Sequence, residues 1–409
     1  MDVRNYTNNG VNFMKKQNYV GAAASVYLNY AVVGAATIFI SQYRDILAKA
    51  WNASGAMVSL VMAMVGLGRI ITILFAGAIS DKIGRRKTLL IALVCDIVFL
   101  LGAAYANNIW IAGCAALFFG ATNSFGDTAG YPALADAFPD KTATMNSFVK
   151  AAMQIMQMLF PFWVKLIRNP QITAIVLSIV LILDIFITLK AAYAPQAVKS
   201  VEKNQEKDVT ESDKPQPKLA IDGAMIITLG FTLCFTFYIF SLYAPYYGQY
   251  VLSQSADTAN QLVSWYSIAS LISVFITSVL VTKIKRLTLI IVYQIISAIG
   301  LLLMVLAPSE VTGAIGALLV GFFAAGGVWQ VGLSILTSYF PQNHGKITSY
   351  YSFAPAVVYF VAPLVAAFVL KANSTSTLVV FWITAIVTII SVVLAVILAQ
   401  RGRKFDIKG

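Results

Sequence analysis

Five ionisable side chains lie inside long apolar runs: Arg69, Asp96, Asp127, Lys150 and Asp184. A charge near the bilayer centre costs at least about 2.5–3.5 kcal/mol on insertion scales, so each implies a partner, a wet cavity or a task. Three acids against two bases leave one acid spare after full pairing. Burial disfavours the charged form of a carboxylate, so a spare acid can exchange a proton near working pH, as ion coupling requires. At about 1.5 Å of rise per residue, Arg69, Asp96, Asp127 and Lys150 fall at depths that let them pair. The expected pairs are Arg69–Asp96 and Asp127–Lys150. Static ion bridges are the plainer alternative for these four, and a structural role is the favoured one for Asp184.

Polar neighbours extend two of these positions into faces. Asn123, Asp127 and Tyr131 recur at i, i+4 and i+8, which is one face of a helix. Lys150, Gln154, Gln157 and Pro161 do the same further on, and Tyr27, Asn29 and Tyr30 mark an earlier segment. Arg69 stays charged and offers a planar fork of donors, which suits an anionic solute. The second half of the chain supplies the run Phe235–Tyr247, the pair Trp329-Gln330, and Trp265, Gln294, Tyr351 and Tyr359. Tyr246, Tyr247 and Tyr250 read as an interfacial belt. The aromatics deeper in that run read as packing or lipid-facing groups.

The elements that must position these residues are membrane helices. The chain is 59% hydrophobic and 11% charged, with a mean hydropathy of +0.78; soluble domains carry roughly 25% charged residues. Apolar runs of about 17–25 residues recur, each long enough to cross a ~30 Å core. Continuous apolar runs indicate helices rather than the alternating strands of a barrel. Twelve spans are expected, at about 19–41, 54–79, 88–106, 109–134, 145–167, 172–190, 221–245, 260–281, 287–307, 311–337, 347–370 and 377–399. Residues 245–260 are equally readable as loop or as helical extension.

Charge sets the orientation. With both termini inside, the inner segments hold 22 Lys and Arg and the outer ones five, which places the termini in the cytoplasm of a plasma (inner) membrane protein. The pI near 9.5 then reflects loops facing anionic lipid, with no nucleic-acid partner. One His and three Cys without ligand spacing leave no metal site, no cofactor and no catalytic cluster, so an enzyme is not expected. A polar stretch ahead of a full-length span indicates no cleavable signal peptide.

Residues 191–220 form a charged, proline-containing linker. They divide the chain into an N-terminal six-helix bundle, 1–190, and a C-terminal one, 221–409. The halves match at a nearly fixed offset. Phe138-Pro139 pairs with Phe340-Pro341 and Pro161 with Pro363, 202 residues apart, and Lys82-Ile83 pairs with Lys283-Ile284 at 201. Internal duplications of this kind place a substrate site near midplane, between bundles that rock against each other.

The loop after span two reads Gly77-Ala78-Ile79-Ser80-Asp81-Lys82-Ile83-Gly84-Arg85-Arg86. With twelve spans and a central linker, it resembles the loop signature of the major facilitator superfamily at every fixed position. That resemblance implies an all-α fold of two pseudo-symmetric six-helix bundles working by alternating access. It implies that Gly77, Asp81, Lys82, Gly84, Arg85 and Arg86 form a conformational latch, with Asp81 facing the start of span eleven near Thr348. The resemblance also makes spans one and four of each half cavity-lining. Asn29, Tyr30, Asn123, Trp329 and Gln330 thereby join Arg69, chosen for its charge, and Gln154, on the polar face of Lys150, as the substrate-binding candidates. It favours Asp127, with Lys150 as its partner, as the proton-coupling site, ahead of Asp96. Span five lacks the Gly-Pro pair of many drug–proton antiporters, and Ala194-Pro195 lacks the sugar-porter acid.

The function expected is proton-coupled transport of a small organic solute, a carboxylate or sugar acid fitting Arg69 best, by a monomer held in membrane lipid. Efflux of amphipathic compounds is the alternative. A non-transporting receptor is a remote one, because the longest loop is only about thirty residues.

Overall fold

The computed structural model describes residues 18–195, 217–340 and 344–403, without the side chains of Ala143, His344, Gly345, Lys346 and Thr348. Most of the expected linker, Pro341 of the second Phe-Pro pair and the Thr348 side chain lie outside the described residues.

The first half contains α1 (Val20–Gln42), the short α2 (Arg44–Ala50), α3 (Gly55–Ile83), α4 (Arg85–Tyr105), α5 (Ile109–Ala137), α6 (Thr142–Leu166) and α7 (Pro170–Lys190). The second contains α8 (Ala224–Tyr246), α9 (Ala256–Leu280), α10 (Arg286–Leu306), α11 (Glu310–Val320), α12 (Val328–Tyr339), α13 (His344–Val369) and α14 (Ser374–Gly402). Polar residues between the apolar runs set the helix starts. Asn108 accepts from the backbone N–H groups of Trp110 and Ile111, Asn169 from those of Gln171 and Ile172, and Asn373 from that of Ser376. These bonds satisfy first-turn donors that no helical carbonyl can reach.

Among the described residues, eleven helical stretches are long and apolar enough to cross a membrane. The remaining long helix, α6, has 25 residues but carries Lys150, Gln154 and Gln157, which lower its hydropathy while its length still suits a span. Residues 245–260 resolve into extension and then loop: a π-helical turn, Tyr247–Val251, prolongs α8, and the chain breaks before α9.

Within the first half, α5 packs on α3 and α4, α1 on α6, and α4 on α7; in the second, α14 packs on α8 and α10, and α13 on α8. The halves meet chiefly along α3 with α13 and α6 with α9, and more lightly along α1 with α8. Gly66 makes the first seam close. A Cβ there would lie 1.9 Å from the backbone nitrogen of Phe360, so no larger residue fits without separating the helices. For orientation, the membrane face bearing the start of α1 and the end of α7 is called here the linker face, and its opposite the far face.

The two-half pattern breaks at the counterpart of α5. In the first half, α5 is continuous over 29 residues. Its counterpart is split into α11, a π-helical turn Gly321–Ala325, and α12, with Gly327 at φ +94° between them. Gly326 permits close helix approach: a Cβ there would meet Ser273 Oγ at 1.9 Å.

Candidate functional site

Arg69 is the fifteenth of 29 residues in α3, which puts it near mid-depth. Its backbone is held against α5 by two glycines. A Cβ on Gly120 would lie 2.3 Å from Arg69 N, and one on Gly68 would lie 2.1 Å from the Leu117 carbonyl oxygen. With the two backbones this close, the side chain lies against α5 and donates from Nη2 to Asp127 Oδ2 at 2.7 Å. Tyr30 of α1 donates to the other oxygen, Asp127 Oδ1, at 2.5 Å. The centre is therefore Arg69–Asp127–Tyr30, drawn from α3, α5 and α1.

This corrects the expected pairing. Arg69 meets Asp127, not Asp96, and no carboxylate among the described residues comes within ion-pair distance of Lys150. The Lys150 ammonium sits instead over the Phe237 ring, 5.6 Å from its centroid. Asp96 is fully buried with neither oxygen hydrogen-bonded. Asp184 is buried beside the α7 end, near the Ser25–Thr188 hydroxyl pair.

The second half meets this centre with aromatic rings. Tyr359 of α13 lies under the Arg69 guanidinium, 4.8 Å from carbon to centroid, and stacks on Tyr238 of α8 at 4.1 Å and 7°. Cation–π contacts at desolvated sites contribute about 2 kcal/mol. Both intramembrane cations, Arg69 and Lys150, thus rest on rings of the second half. The deeper aromatics of α8 are not lipid-facing at these positions: Tyr238 is buried and Phe237 faces Lys150. Trp265, by contrast, is exposed on the helix surface.

The other candidates divide. Asn123 is buried, but its amide donates to the Phe119 carbonyl of its own helix. Asn29 is fully buried with both amide atoms unpartnered, and Gln154, one turn beyond Lys150, is buried with an unpartnered Oε1. Trp329 packs on Tyr351, whose hydroxyl donates to the Trp329 carbonyl at 3.0 Å. Gln330 is exposed. Tyr131 stacks edge-on with Tyr30 at 5.5 Å.

At the linker face the loop signature ties the first half to itself. Arg85 donates to Ser80 at 2.7 Å and to Asp81 at 3.0 Å, and lies 3.8 Å from Asp136 at the end of α5. Arg86 donates to the Thr188 carbonyl at 3.0 Å. Gly84 has φ +93°, a conformation that requires glycine at this turn. Lys82 is exposed, and Gly77 has open space where a Cβ would point.

At the far face the halves are sewn together. Arg44, buried at the start of α2, donates to Asp45 at 2.6 Å, Gln249 at 2.9 Å and the Tyr250 hydroxyl at 3.0 Å, with its guanidinium 3.6 Å from the centre of the Tyr246 ring. Arg168 pairs with Asp257 at 2.7 Å, Asn260 donates to the Gln42 carbonyl at 3.2 Å, and Ser41 donates to that of Leu242. Burial pushes the neighbouring Tyr43 hydroxyl up to about 12. It therefore stays protonated and donates to the Ile167 carbonyl at 2.6 Å. Tyr246 is buried in this seam, and Tyr247 is buried within the second half, its hydroxyl donating to the Met304 carbonyl at 2.7 Å, which corrects their reading as an interfacial belt. The reason is Arg44: a buried guanidinium needs acceptors and ring faces, and α8 supplies them. In the sequence Arg44 reads only as one of five outer cations.

Two helical bundles meeting over a buried charged centre define a two-bundle membrane carrier. The model of the Major Facilitator Superfamily matches residues 20–255 and 251–406, and the chain belongs to that family of transporters. It is 30% identical over 394 residues to the inner membrane transport protein YdiM of Escherichia coli (strain K12), covering 95% of this chain and 96% of that one. Among solved structures it resembles a D-xylose-proton symporter (TM-score 0.74, 18% identity, 93% of this chain and 97% of that one). It also resembles the nucleoside transporter NupG (TM-score 0.74, 10% identity, 93% and 99%). At these identities the two structures establish the fold.

Proposed function

We propose that the protein is a proton-coupled transporter of a small organic solute, with Asp127 as the coupling carboxylate. The observation that carries this reading is the shared carboxylate: Asp127 holds Arg69 with one oxygen and Tyr30 with the other. Protonation of Asp127 weakens its hold on Arg69, and Arg69 also touches the second half through Tyr359. A proton on Asp127 therefore changes a contact on which the two halves meet. Asp127 keeps 30% of its side chain exposed while Arg69 keeps 9%, so the acid is the member of the pair that water can reach. The solved relative that is a proton symporter agrees with proton coupling in this fold. The closed far-face seam supports assigning this conformation to the inward-facing state, with the linker face and both termini in the cytoplasm as the charge bias indicates.

The test uses the full chain in proteoliposomes, with uptake screened under an imposed pH gradient. Asp127→Asn, which mimics the permanently protonated acid, should abolish gradient-driven accumulation and retain exchange at equal concentrations on the two sides. Accumulation that still follows the pH gradient in this variant would show that Asp127 is not the coupling acid, and Asp96 would be the next candidate.

A further inference from the structure

We infer that Lys150, rather than Arg69, is the anchor for the transported solute, and that the solute carries a small anionic group, a carboxylate. The inference rests on the transport reading above and deepens it. It begins from charge balance at the meeting of the halves. Three ionisable groups gather there: the bases Arg69 and Lys150 and the acid Asp127. Arg69 is already satisfied by the protein, with Asp127 on its Nη2 and Tyr359 against its face. Lys150 has no such partner. No carboxylate among the described residues lies within 4.0 Å of its ammonium, which sits over the ring of Phe237. Asp127, Arg69 and Cys234 act on it only at longer range.

A ring face attracts a cation but offers no lone pair to the three N–H donors of an ammonium group. With Asp127 ionised, the cluster keeps one uncompensated positive charge in a low-dielectric setting, where an anion would be held firmly. Unpartnered polar atoms stand on the same helix face. Gln154, at i+4 from Lys150, buries an Oε1 that accepts nothing, a place for a hydroxyl or N–H of the same solute. Asn29 on the adjoining α1 buries a whole amide without partners. A buried orphan acceptor and an unpaired cation one turn apart describe a site for a carboxylate bearing a hydrogen-bond donor, such as a hydroxy acid. Lys150 also lies across the seam between halves, against α8. An anion bound there would be touched by both bundles.

The experiment is a thermal-shift measurement on the purified full chain with lactate, malate, gluconate and glucuronate, each compared with its neutral amide. The expected result is stabilisation by one or more of the acids and by none of the amides. Lys150→Gln should lose the shift, with affinity reduced roughly ten- to a hundredfold, and Lys150→Arg should keep part of it. A second readout covers folding: without ligand, Lys150→Met should melt no lower than wild type, because it removes an unpaired, half-buried charge. Overturning results are equal shifts with acid and amide, an acid shift that survives Lys150→Gln, no acid active on wild type, or a lowered ligand-free melting point in Lys150→Met. The two readings fail separately. Acid binding that needs Lys150 in a chain showing no gradient-driven uptake would remove the coupling reading and leave the anchor. Gradient-driven uptake of a neutral solute would do the reverse.

Discussion

The two halves share a helical plan but not a chemistry. The first places Arg69, Asp96, Asp127, Lys150 and Asp184 within its spans, whereas the second meets the seam with Tyr238, Phe237 and Tyr359. The first half keeps α5 whole; the second breaks the corresponding span at Gly321–Gly327. The difference teaches a division of labour. Ionisable groups are held on continuous helices, where their partners stay in register and a proton can change one bond at a time. Rings face them from the other bundle, and a cation–π contact tolerates sliding better than a hydrogen bond because it is broad and weakly directional. A seam that must open and close is better built from such contacts at its centre, with directional bonds kept for the far-face lock at Arg44.

The largest expected effect falls inside the first half. Arg69→Ala leaves Asp127 buried with Tyr30 as its remaining partner. Breaking a buried pair costs about 3–5 kcal/mol, and the partial exposure of Asp127 points to the lower end. Unfolding in detergent should show the loss, and Arg69→Ala with Asp127→Ala should recover most of it. A double variant no more stable than the single one would mean that the charged centre is not the unit described.

Next is the far-face lock. Arg44→Gln removes two hydrogen bonds to the second half and the ring contact with Tyr246, an expected loss of about 1.5–3 kcal/mol from the closed far face. Spin labels on the far ends of α1 and α8 should report longer distances, with the population shifted roughly ten- to a hundredfold. Unchanged distances would show that Arg168–Asp257 and the α6–α9 packing suffice.

A smaller effect tests the rings directly. Tyr359→Leu should weaken the contact with Arg69 by about 0.5–2 kcal/mol. A double-mutant cycle with Arg69 isolates that term from lost stacking on Tyr238; a coupling near zero would make Tyr359 a packing residue only. The smallest effect is expected at Trp265. This ring is exposed on the helix surface, so Trp265→Leu should stay within about 0.5 kcal/mol of wild type. A large loss there would break the distinction between seam-facing and surface rings in the second half.

Much of the molecule was legible in its residues. Hydropathy placed twelve spans within a few residues of the helices, because a membrane helix must be apolar over a fixed length whatever its neighbours are. Asn108, Asn169 and Asn373 cap helix starts, a local interaction between a side chain and its own next turn. The loop from Gly77 to Arg86 named the family, and intramembrane charge singled out Arg69, Asp127 and Lys150. Pairing was another matter. Depth along a helix follows from counting residues, but azimuth depends on which helices touch and how closely. Arg69 and Asp96 share a depth, yet Gly68 and Gly120 bring α3 against α5 and point the guanidinium to Asp127. Nor could spacing reveal that Arg44 and the tyrosines of α8 meet, since they are about two hundred residues apart and joined only by the docking of the halves. The sequence determined how many helices there are and which charges they carry; packing between helices decided which of those charges meet, because close backbone approach at glycine is a property of two surfaces together.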